Sequence, residues 1–180
     1  LAQQWVERWE PVKGVTLNLQ PRRTNQILGP TTSALAGDPV IREQFCGLAL
    51  QLSTTTFFQI NTPQAEAIVA CIVSWLSQAK QNGPIVDAYC GIGTISLPLA
   101  AQGHRVLGIE INLDSIDQAR SNAAANDLAP LTQFQAGDVA SLLKESLPSC
   151  SALVVDPVGE LYRKNESTSE NAAGKRRTRE

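Results

Sequence analysis

Pro84 to Ala100, PIVDAYCGIGTISLPLA, is the stretch whose reading decides the fold. Ile85 and Val86 make a short apolar strand that reaches an acid at Asp87. The chain then turns through Cys90-Gly91-Ile92-Gly93, and a helix opens at Thr94. Strand, glycine loop and helix in that order read as the first turn of a doubly wound α/β domain, where such folds hold a nucleotide-like ligand. A lone G-x-G pair also occurs in ordinary strand-to-helix turns. The weight of the reading therefore rests on what surrounds it.

Downstream, the pattern alternates as parallel α/β units do. The spacing predicts strand 84–88, helix 94–102, strand 105–109, helix 113–126, strand 131–136, a helix near 139–146 and strand 151–155. Crossovers of one hand bring the four strand ends to one edge of the sheet. Asp87, Glu110, Gly137-Asp138 and Asp156-Pro157 stand at those ends.

The placement of the acids narrows the ligand. A carboxylate just before a glycine loop repels a pyrophosphate, and Ser96 stands where a dinucleotide fingerprint has its third glycine. S-adenosylmethionine carries a sulfonium and an ammonium in place of phosphates, and Asp87 attracts both; the other reading of Asp87 is a strand-end acid capping a turn. Glu110 lies about twenty residues beyond the loop, where a carboxylate accepts from vicinal ribose hydroxyls. Asp138 has two readings, an acceptor for an adenine amine and an N-cap for the next helix. Asp156 arrives where the reacting centre of a methyl transfer lies.

Upstream, Val12 to Thr55 has a different texture. Short alternating runs at Val15-Leu17-Leu19, Gln26 to Leu28, Ser33 to Leu35 and Cys46 to Leu52, punctuated by Gly29-Pro30 and Gly37-Asp38-Pro39, indicate β structure with tight turns. Leu1 to Glu10 reads as the end of a helix that packs Trp5 and Trp9 into a core, ahead of their use as a base-stacking platform. Thr62-Pro63 gives an N-cap and a first-turn proline. Ile68, Val69, Ile72, Val73 and Leu76 then put an apolar face on a helix from Ala65 to about Lys80.

The whole chain sets outer bounds. Its 180 residues, 43% hydrophobic and 18% charged, are enough for one packed domain and part of a second. A net charge of −2 argues against dominant electrostatic binding of nucleic acid by this chain alone, while leaving room for an RNA substrate held by other parts. Cysteines at 46, 71, 90 and 150 form no C-x-x-C pair and stand in no register with the one histidine, so no metal site is expected. No apolar run is long enough to span a membrane, and LAQQWVERWE lacks the order of a signal peptide. A cytoplasmic location is the expectation.

With these residues in hand, the chain resembles the RNA (uracil-5-)-methyltransferases from about Gly14 to Pro157. The resemblance is carried by Arg23-Thr24-Asn25 with Ile27-Leu28-Gly29, by Phe57-Phe58-Gln59-Ile60-Asn61, by Asp87-Ala88-Tyr89-Cys90-Gly91-Ile92-Gly93-Thr94, and by Glu110 with Asn122 and Asn126. It implies a Rossmann-like methyltransferase core preceded by part of a β-rich central domain. It also implies an S-adenosylmethionine pocket lined by Gln59, Tyr89, Thr94, Glu110, Asp138 and Asp156, beside the loop residues Asp87, Gly91 and Gly93. The implied substrate is RNA, rRNA ahead of tRNA. In the family the loop cysteine, here Cys90, is not the catalytic one.

Methylation of uracil C5 needs a thiolate that adds at C6 and a base that removes the C5 proton. Family members carry that cysteine in Ser-Cys-Asn-Pro after the fourth strand and a glutamate base nearer the C terminus, and neither motif occurs in this sequence. The family's Asp-Pro-Pro-Arg breaks after Pro157 into Val158-Gly159-Glu160, followed by a polar run without periodicity. The expected organisation is thus a β-rich, RNA-facing part at 1–55, a truncated methyltransferase domain at 56–158 and a disordered tail at 159–180. A coding sequence cut or shifted in frame near Asp156 accounts for the break. The expectation is a chain that keeps the cofactor pocket and is inactive alone, with a non-catalytic RNA- or cofactor-binding module as the alternative. Methylation of an exocyclic amine fits less well, because Asp156-Pro157-Val158-Gly159 lacks the second proline and the aromatic residue which that chemistry uses.

Overall fold

The computed structural model describes residues 1–23, 27–77, 83–145 and 149–156. The expectations for Thr24, Asn25 and Gln26, for the helix between 78 and 80, for Pro157 and for the tail at 159–180 lie outside the described residues.

The C-terminal half follows the alternation read from the sequence. Strands β5 (Ile85–Ala88), β6 (Val106–Glu110), β7 (Thr132–Ala136) and β8 (Ala152–Val155) form one parallel sheet in the order β7-β6-β5-β8. Helices α3 (Ser96–Ala101), α4 (Leu113–Ala125) and α5 (Val139–Glu145) make the connections. β5 is buried along its whole length, which is why it reads as a continuous apolar run broken only by Asp87. From β5 the chain steps outward to β6 and β7, then returns to place β8 on the other flank of β5. That reversal makes the crevice beyond β5 and β8 the switch point of the sheet.

Before the sheet come α1 (Ala2–Arg8), hairpin β1–β2 (Gly14–Leu19 with Thr31–Gly37), hairpin β3–β4 (Val40–Phe45 with Leu48–Ser53) and α2 (Thr62–Leu76). The sequence pattern misses β3 and takes Cys46 into a strand. Cys46 and Gly47 instead form the two-residue turn of the second hairpin, with φ of 51° and 77°. Both positions of such a turn need positive φ. The Glu66 carboxylate on α2 accepts from the Cys46 amide at 2.6 Å and steadies it. Ile27 and Leu28 form a bend and no strand.

Two further expectations change. α1 stops at Arg8, so Trp9 lies past the helix in extended backbone and cannot join Trp5 on one buried face. Trp5 and Trp9 are 46% and 54% exposed, with the Arg8 guanidinium 5.3 Å from the centre of the Trp9 ring. The N-cap of α2 is Asn61, one residue before the expected Thr62, and its side chain accepts from the Gln64 amide at 3.4 Å. α2 buries Ala65 and Val69, with Ile72, Val73 and Leu76 packed beside them, and leaves Ile68 exposed.

One core runs through both halves. Phe45, Leu50 and Leu52 of the second hairpin share it with Ile92, Leu97, Ile116 and Phe134 around the sheet. Phe45 meets Phe58 edge to face at 5.6 Å. No helix among the described residues is long and apolar enough to cross a membrane.

Candidate functional site

The glycine loop leaves β5 through Tyr89, which adopts φ of 66°, an uncommon conformation for a side chain of this size. Gly91 and Gly93 follow at φ of 54° and 92°. A Cβ on Gly91 would meet nothing within 4 Å, so this point of the loop faces open space. One on Gly93 would press against Leu97 at 3.0 Å. Backbone bonds fix the shape: the Cys90 amide donates to Ile109 at 3.0 Å and the Gly93 amide to Cys90 at 2.9 Å.

Above the loop lies a cavity of about 340 Å³, walled by Phe57, Phe58, Gln59, Tyr89, Gly91 and Thr94 among others, with Asp156 at its rim. A smaller neighbouring cavity of about 150 Å³ shares Gln59, Thr94 and Asp156 and runs back toward Asn61, Gln64 and Ile68 of α2. Five of the residues picked from the sequence therefore come together on cavity walls: Gln59, Tyr89, Gly91, Thr94 and Asp156. Asp87, Gly93, Glu110 and Asp138 do not reach those walls.

Asp87 is buried beneath the loop, 1% exposed, where Ser96 Oγ donates to its Oδ2 at 2.5 Å. Burial lifts its carboxyl from the ordinary 3.8 to about 7, against the Ser96 hydrogen bonds that lower it, with the Asp156 and Glu110 carboxylates adding to the rise. Glu110 grips the loop from outside: Oε2 accepts from the Gly91 amide at 3.2 Å and Oε1 from the Asn112 amide at 2.9 Å. Asp138 takes its N-cap role, its Oδ1 accepting from the Ser141 amide at 2.9 Å and the Ser141 hydroxyl at 2.7 Å.

Cys90 is 3% exposed, and burial, reinforced by the Asp87 and Glu110 charges, pushes its thiol far above the usual cysteine range. A thiol held protonated is inert as a nucleophile. The other three cysteines line neither cavity. Ser96 is the partner that sequence reading passed over. It was noted for the glycine it replaces, and its spacing from Asp87 across the loop was the available signal.

The cavity walls carry no Lys or Arg among the described residues, and the Asp156 and Glu110 carboxylates are close enough to the loop to act on Asp87 beneath it. That field opposes a phosphate and favours a ligand bearing positive charge. No group of three or more His, Cys, Asp or Glu among the described residues is arranged to hold a metal ion.

The parallel sheet with this loop at its switch point has the architecture of the Rossmann-like methyltransferases. The crystal structure of Pyrococcus abyssi tRNA (uracil-54, C5)-methyltransferase in complex with S-adenosyl-L-homocysteine superimposes with a TM-score of 0.65 at 23% identity, covering 81% of this chain and 35% of that one. The Methanocaldococcus jannaschii structure of a tRNA m1G37 methyltransferase gives 0.60 at 18% identity, covering 93% and 47%. The chain belongs to the tRNA (Uracil-5-)-methyltransferase family, which its residues 46–141 match. It is 83% identical over 157 residues to an uncharacterised RNA methyltransferase of Parasynechococcus marenigrum, covering 87% of this chain and 34% of that protein. Against a second, from Gloeobacter violaceus, it is 44% identical over 156 residues, covering 87% and 33%. The chain thus spans about a third of the length of these relatives.

Proposed function

We propose that this chain is the cofactor-holding part of an S-adenosylmethionine-dependent RNA methyltransferase directed at uracil C5. The observation that carries the reading is the open, cation-favouring cavity over Gly91 at the switch point of the sheet. The residues fit the cofactor. Gly91 presents bare backbone to open space, Tyr89 and Phe57 offer apolar and aromatic surface, and Asp156 supplies negative charge at the rim.

When bound, S-adenosylmethionine supplies an electrophilic methyl group on a sulfonium. Tyr89, Gly91 and Thr94 would hold its body, Gln59 would reach it from the segment before α2, and Glu110 would keep Gly91 in place through its amide. Asp87, Gly93 and Asp138 support the site through the loop and the α5 cap. Asp156, which lines both cavities, would face the reacting methyl group.

The same geometry supports an absence of turnover by the chain alone. Addition at uracil C6 needs a thiolate, and Cys90, the one cysteine on the cavity wall, is buried with its proton held. RNA is the substrate class, and of its two forms rRNA is proposed ahead of tRNA on the resemblance.

The test is a pair of measurements on the purified chain: binding of S-adenosylhomocysteine, and transfer of labelled methyl from S-adenosylmethionine to uracil in rRNA and tRNA. Binding without transfer is expected. Transfer to either RNA overturns the assignment of Cys90, and absence of binding overturns the cofactor site.

A further inference from the structure

Asn122 in the last turn of α4 and Asn126, the C-cap of that helix, stand four residues apart and do unusual work for side chains at a helix end. The Asn122 carboxamide accepts from the Gln51 amide at 2.8 Å and donates to the Gln51 carbonyl at 3.3 Å. The Asn126 carboxamide accepts from the Ala49 amide at 3.0 Å and donates to the Ala49 carbonyl at 2.8 Å. Ala49 and Gln51 are alternate residues of β4, whose other edge pairs with β3. Each asparagine therefore treats β4 as a neighbouring strand would, exchanging both bonds with one residue.

The match has a geometric cause. Four residues along a helix rise about 6 Å, and two residues along a strand advance about 6.7 Å. Carboxamides at i and i+4 are thus spaced like successive outward peptide groups of a strand edge. Helix α4 closes the free edge of the hairpin without a strand, which also shields it from pairing with another chain.

The two asparagines differ in one respect. Asn126 turns its second donor back to the Asn122 carbonyl of its own helix at 2.8 Å. Asn122, with no solvent exposure, also points Nδ2 at the Ile92 carbonyl at 3.5 Å, a long contact that ends in the glycine loop between Gly91 and Gly93. Glu110 holds the loop at the Gly91 amide, and Asn122 holds it from the opposite, buried side.

We infer that Asn122 is a positioning residue that sets the glycine loop for its ligand and ties the loop to the β3–β4 hairpin, while Asn126 is a tether for the hairpin alone. The part concerning the ligand rests on the cofactor reading above. A displacement of the hairpin is transmitted to Ile92 through one buried amide shared by Gln51 and the loop.

The experiment compares Asn122→Ala with Asn126→Ala in the full chain, each losing two bonds to β4 and only the first losing the bond to Ile92. Both variants lower the melting temperature. S-Adenosylhomocysteine affinity falls roughly fivefold to tenfold further in Asn122→Ala than in Asn126→Ala, the size of one lost internal hydrogen bond. In amide correlation spectra of the ligand-free chain, the Gly91 and Gly93 signals move in Asn122→Ala and stay in place in Asn126→Ala. Should Asn122→Ala fail to fold, Asn122→Ser, whose hydroxyl is too short to bridge both partners, takes its place in the comparison. Equal affinity loss in the two variants, or unmoved glycine signals, overturns the inference. If the unaltered chain binds no S-adenosylhomocysteine, the cofactor reading fails, and the glycine signals still decide whether Asn122 positions the loop.

Discussion

The two hairpins of the N-terminal region are built from similar strands and end in opposite situations. Hairpin β3–β4 places Phe45, Leu50 and Leu52 in the common core and has its outer edge bonded by Asn122 and Asn126. Hairpin β1–β2 buries nothing fully: none of the described residues from 1 to 40 is buried, and Leu17, Leu19 and Leu35 are 45%, 52% and 53% exposed. Its own asparagine, Asn18, turns inward, donating to the Gly29 carbonyl at 3.0 Å and to Thr32 Oγ1 at 2.7 Å while accepting from the Gly29 amide at 2.7 Å. One hairpin has its edge bonded by another element, and the other spends its carboxamide closing its own loop. Alternation of apolar and polar residues made β1, β2 and β4 legible but not β3, and tertiary partners decided which hairpin became part of the core.

The difference predicts where substitutions are felt. Phe45→Ala removes a ring that is 1% exposed and packed on Phe58, and is expected to cost about 3–5 kcal/mol in urea unfolding. The matched change Leu17→Ala in the first hairpin is expected to stay within about 0.5 kcal/mol. Similar costs for the two would break the comparison.

The core that received the second hairpin also encloses an acid. With its folded value raised from 3.8 to about 7, Asp87 favours the folded chain fully below the lower value, and that contribution is lost as pH rises to about 7. Unfolding free energy measured across this interval should fall by as much as ~4 kcal/mol from this group. Asp87→Asn, which keeps an acceptor for Ser96, should flatten the slope. An unchanged slope in the variant would place the titration elsewhere.

A smaller effect is expected at the turn of the second hairpin. Glu66→Ala leaves the Cys46 amide without its carboxylate and should cost about 1–2 kcal/mol, read as a shift in denaturation midpoint. Smallest of all, Leu19→Ser on the exposed face of the first hairpin should leave the melting temperature within error. Amide exchange sharpens the contrast: β4 should exchange only with global unfolding, and β1 through local opening.

The sheet was legible because β5, β6 and β8 are short apolar runs that lead to an acid, because β7 leads to Gly137-Asp138, and because strand and helix segments alternate at the spacing of parallel α/β units. Nothing local distinguishes Val40–Phe45, where Arg42 and Glu43 interrupt the pattern, and β3 exists because β4 pairs with it. At the site, Gly91 and Asp156 were readable from loop and strand-end positions, since topology delivers those positions to one edge, whereas Gln59, Tyr89 and Thr94 came from the family resemblance. The choice between the two readings offered for Asp87, and between the two offered for Asp138, was not readable. Whether a strand-end acid faces a cavity, a serine or a helix cap depends on Ser96 and Ser141, whose orientation only packing determines.

The central claim is that the loop from Tyr89 to Thr94 receives S-adenosylmethionine, and calorimetric titration with S-adenosylhomocysteine tests it most directly. The folded chain should bind at one site. Glu110→Ala, which frees the Gly91 amide, should weaken that binding by about tenfold or more, the size of a lost hydrogen bond to a charged group. A folded chain that gives no heat of binding, or a Glu110→Ala variant that binds as tightly as the parent, would contradict the account.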